Sequence, residues 1–202
     1  IPKERKEQFT ILGQNAAQNS VSYVDYAYQS FFEKIKKESW FINTVFIFIA
    51  DHFSSPSSKR TMTTVNNNEI PFFIFKPGDP LSRGIRNDVV QQLDILPSIL
   101  QLAGYKGKYM SFGENVFEQN TFPYAVQRRS YGFQIIDSCY ALGLNNEDDK
   151  IVHLYNYKND PLLTKNLADD TSYAEQKNRL ADALKAMVQR YNYSLEHNKL
   201  YY

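Results

Sequence analysis

The stretch TVFIFIADHFSSP, residues 44–56, decides how this chain is read. Six apolar residues, Val45 to Ala50, run without alternation, stop at Asp51 and His52, and pass into a Ser-rich loop. β-Branched and aromatic side chains at consecutive positions predict a strand covered on both faces, inside a parallel sheet flanked by helices. In open α/β sheets, ligands gather beyond the carboxyl ends of such strands. A carboxylate oxygen and an imidazole nitrogen are common ligands of divalent transition metals. The same two residues also suit an Asp capping a turn beside a surface His, and spacing alone leaves both readings open.

Upstream, Val21, Val24, Tyr28, Phe31, Phe32 and Ile35 recur at helical spacing and predict an amphipathic helix over 15–37. Downstream, the polar run SSPSSKRTMTTVNNNE separates the first strand from a second, IPFFIFKPG at 70–78, which Pro77-Gly78 ends. DILPSILQLAG, residues 94–104, reads as a short helix with Asp94 as N-cap, Pro97 in the first turn and Gly104 as stop. Strands are expected at 123–128, 131–137 and 151–155. A last helix is expected over 172–196, with Leu180, Leu184, Met187, Val188, Tyr191 and Leu195 on one side.

At 202 residues, 43% of them hydrophobic and 22% charged, the chain has the composition of a soluble globular protein with one full core. A net charge of +1 gives no electrostatic case for nucleic-acid binding. No apolar run approaches the roughly 20 residues of a membrane span. Cys139 is alone, so no intramolecular disulfide is expected, and it reads as a core or half-buried thiol. His153 is expected on the exposed side of its strand, and His197 near a helix C-terminus, where the dipole favours a cation. Lys59 and Arg60 read as a solvated pair able to meet an anion. A start at Ile1 is expected for a piece whose upstream part lies elsewhere.

Four segments, in order, carry a resemblance: VSYVDYAYQSFFEKIKKESWFINTVFIFIADH, IPFFIFKPG, QQLDILPSILQLAGYKGKYMSFGENVF and LYNYKNDPLLTKNLA. Together they resemble sulfatase-like enzymes of the alkaline phosphatase superfamily, in the lipoteichoic acid synthase and phosphoglycerol transferase branch. The resemblance implies an α/β fold: part of a three-layer sandwich over about 1–120, then a smaller sheet and terminal helix over about 121–202. It implies that Asp51 and His52 are two ligands of a divalent metal, manganese, zinc or calcium. The remaining ligands and the hydroxyl nucleophile are expected in an N-terminal half of the same enzyme, so residues 1–202 alone are expected to be inactive. The substrate class implied is an anionic ester, phosphoglycerol-type or sulfate, and the implied location is the extracytoplasmic face of a membrane or the periplasm. Phe53 stands where the family places a small residue, and the loop after it offers Lys59 and Arg60 but no His. These departures fit a second reading, a non-catalytic module that binds an anionic glycan or a protein partner.

Overall fold

The computed structural model describes residues 1–11, 13, 15–53, 63–79, 84–118 and 123–201. The chain forms two compact units, Ile1–Asp51 with Ile70–Ile85, and His52–Glu69 with Arg86–Tyr202.

In the first unit, helix α1 spans Ala16–Ile35. Asn15 starts it through a reciprocal box: its Oδ1 accepts from Gln18 N–H, and Gln18 Oε1 accepts from Asn15 N–H, both at 2.9 Å. Strands β1 (Phe46–Ile49) and β2 (Phe72–Phe75) pair antiparallel, Phe46 opposite Phe75 and Phe48 opposite Phe73. Those four rings share one face, and Phe32 of α1 meets Phe46 at 5.2 Å, Phe75 at 5.8 Å and Phe48 at 5.9 Å. Phe48 stacks on Phe73 at 4.5 Å. Each such pair adds roughly 0.5–1.5 kcal/mol beyond the area it buries.

This corrects the expectation of a parallel sheet interior. Among the described residues, β1 has a single sheet neighbour, running antiparallel, and Ile49, Phe73 and Phe75 stay largely exposed. The chain returns from the polar loop directly beside β1 in the opposite sense, with Ala50 N–H donating to the Pro71 carbonyl at 3.3 Å. The aromatic run reflects ring packing against α1 rather than helices on both faces.

The second unit is built on an antiparallel sheet, β3 (Ala125–Arg129), β4 (Gly132–Ile136), β5 (Ala141–Asn145) and β6 (Ile151–Tyr155), in that spatial order. One face, carrying Ile135, Leu142, Leu144 and Leu154, packs on Leu180, Ala181 and Leu184 of helix α3 (Ala174–Glu196). Leu142, Leu154, Leu180 and Leu184 are fully buried, and this is the main core. The buried apolar residues of α3, Leu180, Ala181 and Leu184, lie in its N-terminal half; Tyr191 and Leu195, expected on the buried side, are exposed. The other face carries Gln134, Ile136, Ala141, Gly143 and His153, and Val65 packs on Ile136 and Ala141.

Helix α2 spans Ile95–Leu102. Asp94 is its N-cap residue, as expected, but its side chain makes no capping hydrogen bond to the helix. Asp94 instead ends a single 3-10 turn, and its carboxylate accepts from Gln91 N–H at 2.9 Å and Glu114 N–H at 2.8 Å. Ser98 Oγ of α2 accepts from Val116 N–H at 3.0 Å, so the turn and the helix after it each tie down the 111–118 segment. Gly104 ends α2 at φ +68, as expected for a left-handed stop. No helix of the described residues is long and apolar enough to cross a membrane.

Candidate metal-ligand pair and its surroundings

Strand β1 ends at Ile49, and the backbone bends at Asp51 and His52 before reaching Phe53. On a regular strand adjacent side chains point to opposite faces, so a bend is what two neighbouring ligands require. Both side chains are exposed. His52 Nδ1 lies 2.8 Å from the Phe53 carbonyl oxygen. A carbonyl only accepts, so Nδ1 carries the proton, and in the neutral ring Nε2 is the nitrogen with the lone pair. Histidines that bind metals usually have one ring N–H tied to a carbonyl or carboxylate in this way, which fixes tautomer and ring orientation.

The pair fits a divalent metal in donor type, one carboxylate oxygen and one imidazole nitrogen. It does not complete a site: among the described residues no group of three or more His, Cys, Asp and Glu side chains is placed to hold a metal ion. Catalytic sites draw on at least three protein ligands. Lys59 and Arg60 lie outside the described residues.

The other histidines divide. His197 ends α3, exposed, with Nδ1 2.9 Å from the Tyr193 carbonyl and its ring stacked on Tyr193 at 4.1 Å, as its position implies. His153 is a correction: it is 5% exposed and faces inward. Its Nε2 lies 3.1 Å from Gln134 Oε1, and its ring stacks on Tyr155 at 4.8 Å. Burial, with the Arg129 guanidinium as a smaller contribution, pushes its pKa down to about 4. Strand alternation predicts one wet face, but this sheet is covered on both. Cys139 is half-buried and free.

A separate cavity of about 180 Å³ in the second unit is lined by Arg86, Gln91, Asp94, Glu114, Val116 and Tyr124, among others, and neither Asp51 nor His52 borders it. Burial raises the Asp94 pKa, against the backbone hydrogen bonds from Gln91 and Glu114. That carboxylate is engaged in holding the turn together.

Sequence reading missed Arg129 and Gln134. Arg129 donates to the Thr64 carbonyl, to Asn67 Oδ1 at 3.0 Å and to Gln127 Oε1 at 2.8 Å. Gln134, fully buried, donates to the Thr64 carbonyl at 3.0 Å and accepts from Tyr131 O–H at 3.1 Å. The alternation of Gln127, Arg129 and Gln134 along VQRRSYGFQ marked a polar strand face; nothing in it marked that face as covered.

Comparison with known proteins shows what the fold is shared with. Residues 6–105, which include α1, both strands of the first sheet and the Asp51-His52 pair, match the sulfatase family model. A protein of the alkaline phosphatase superfamily from Vibrio parahaemolyticus superposes with TM-score 0.70 at 23% identity, over 100% of this chain and 47% of that one. A 2-O GAG sulfatase superposes with TM-score 0.67 at 19% identity, over 90% of this chain and 44% of that one. The fold is therefore the α/β fold of the alkaline phosphatase superfamily, spanned in part.

Within that class, the chain is similar to lipoteichoic acid synthases. It is 29% identical over 160 residues to lipoteichoic acid synthase of Staphylococcus aureus (strain USA300), a match covering 73% of this chain and 23% of the relative. The chain thus spans under a quarter of that relative's length.

Proposed function

We propose that the chain contributes half of a divalent-metal centre to an enzyme that transfers or hydrolyses an anionic ester, phosphoglycerol-type or sulfate. The observation that carries this reading is the Asp51-His52 pair at the bend after β1, inside the stretch that matches the sulfatase family. Asp51 supplies a carboxylate oxygen. His52 supplies Nε2, with Nδ1–H held on the Phe53 carbonyl. When bound, manganese, zinc or calcium supplies Lewis-acid charge to the ester oxygens and makes a hydroxyl nucleophile potent at neutral pH. We propose that the nucleophile and the further ligands come from an N-terminal half of the same enzyme, and that the parent protein works at the extracytoplasmic face of a membrane or in the periplasm.

The test is turnover of aryl phosphate, phosphodiester and aryl sulfate by the full-length protein with manganese or zinc. Metal-dependent turnover lost in both Asp51→Ala and His52→Ala is expected. Turnover that survives either substitution overturns the assignment. Phe53 beside the pair favours a second reading, a non-catalytic module for an anionic glycan or protein partner. A full-length protein that binds such a glycan while binding no manganese would establish it.

A further inference from the structure

Helix α2 is turned inside out relative to its own unit. Its buried side is small and polar: Asp94 at the N-cap, then Pro97 and Ser98. At 3.6 residues per turn, Leu96 and Ile99 fall on the opposite side. With Leu93 just before the helix and Leu102 at its end, they form an apolar surface of four side chains, each 41–50% exposed. An amphipathic helix is stabilised mainly by burying its apolar side, so this one lacks its usual partner.

The orientation is fixed by hydrogen bonds. The Asp94 carboxylate accepts from Gln91 N–H and Glu114 N–H. Ser98 Oγ donates to the Asp94 carbonyl at 2.5 Å and accepts from Val116 N–H at 3.0 Å. Rolling the leucines inward would strand a buried carboxylate and two backbone donors, which costs more than it gains. The apolar side is therefore held outward, and contiguous apolar side chains held in water mark an interaction surface.

The occupant follows from two facts. Helix α2 lies inside the stretch 6–105 that matches the sulfatase family, so its outward side belongs to that domain. The chain spans under half of the solved structures that share its fold, so the rest of that fold is at hand to cover it. The chemistry required is apolar, because α2 reads ILPSILQL and carries no charged side chain.

We propose that the outward side of α2, centred on Leu96 and Ile99, is where the N-terminal half of the same enzyme docks, through an apolar surface of that half. This rests on the proposal that such a half exists, and not on the metal-ligand assignment of Asp51 and His52.

The experiment uses the full-length protein with the photo-crosslinker p-benzoylphenylalanine in place of Leu96 or of Ile99, and in place of the exposed Lys158 as control. Illumination is expected to join both α2 positions, and not the control, to peptides of the N-terminal half, which mass spectrometry maps. Cross-links confined to residues 1–85 would make this chain's own first unit the occupant. Cross-links between copies would make the face an oligomer contact, and none at all would leave it to solvent or lipid. Each of these overturns the proposal. Carbene footprinting of the unsubstituted full-length protein reads the same face if neither bulky ring is tolerated. Leu96 and Ile99 should then be labelled at least about tenfold less than Lys158, and equal labelling overturns the docking. Metal-dependent turnover with α2 accessible sinks the docking alone, whereas the expected cross-links without such turnover sink the enzyme reading alone.

Discussion

Gly143 of β5 and His153 of β6 are cross-strand partners, and a Cβ on Gly143 would stand 2.5 Å from His153 Cε1 and 2.8 Å from Nε2. The glycine is there because the imidazole lies flat over its backbone. Gly143→Ala should therefore act by overpacking, with the ring forced off Gln134. A loss of about 1–3 kcal/mol is expected, typical of overpacked cores. Thermal unfolding reads it, and Gly143→Ala combined with His153→Ala should lose less than the sum of the two single changes.

His153 also sets an acid limit. Folded, its ring stays neutral down to about pH 4; unfolded, it takes a proton near pH 6.5. Between those values the unfolded chain binds more protons, so stability falls as pH drops from about 6.5 to about 4 and levels off below. The groups facing the ring are Arg129, Tyr131, Gln134 and Tyr155, none of which can offset a second positive charge. Integrated over the window the loss is on the order of 3 kcal/mol. Denaturant melts at pH 7 and pH 4.5 should show it, and His153→Gln should flatten the difference. An NMR titration placing the ring near pH 6.5 would contradict the burial.

Much of this fold is legible in the sequence, and the failures share one cause. The helix from Asn15, the aromatic strands and the terminal helix all follow from apolar spacing and caps, and the structure has them. Strand β5 was not read, because Ala141, Gly143 and the lack of β-branched residues in ALGLN give no strand pattern. That strand exists because tertiary packing wants small residues under His153. His153 reads as outward-facing for the same reason: alternation cannot tell a face covered by Thr63–Glu69 from a face in water. The Asp51-His52 pair is legible through resemblance, whereas the hydrogen bonds of Arg129 and Gln134 to Thr64 join segments far apart in sequence and are not.

Asp137 is the third test, at the β4–β5 turn. It is 4% exposed, and its Oδ1 accepts from Cys139 N–H at 2.8 Å and Tyr140 N–H at 2.6 Å, while Oδ2 accepts from Arg179. Tyr157 O–H donates to the Asp137 carbonyl at 2.5 Å, and burial raises the Tyr157 pKa to about 12. Asp137→Ala strands two backbone donors and should destabilise by about 2–3 kcal/mol. Asp137→Asn can keep the Oδ1 bonds and should lose about half as much. Arg179 is half-exposed, so Arg179→Ala should be mildest, below about 1 kcal/mol. Urea midpoints of the three variants give the order directly.

The last prediction separates a ligand from a structural residue at Asp51 and His52. Both side chains are exposed and stand after the last residue of β1, where substitutions usually change stability by no more than about 0.5 kcal/mol. Asp51→Ala and His52→Ala should therefore leave the metal-free melting temperature within about a degree or two of the parent. Manganese should then discriminate. A ligand that binds only the folded state raises stability by RT ln(1 + [L]/Kd), about 2.7 kcal/mol at one hundred times Kd. The parent full-length protein should melt higher as manganese is added, and each single variant should lose most of that rise. His52→Gln, which cannot present an imidazole lone pair, should behave like His52→Ala. If instead Asp51→Ala lowers the metal-free stability by several kcal/mol, the carboxylate is part of a buried polar network and the ligand assignment fails. Equal manganese shifts in parent and variants would place the ion elsewhere in the protein.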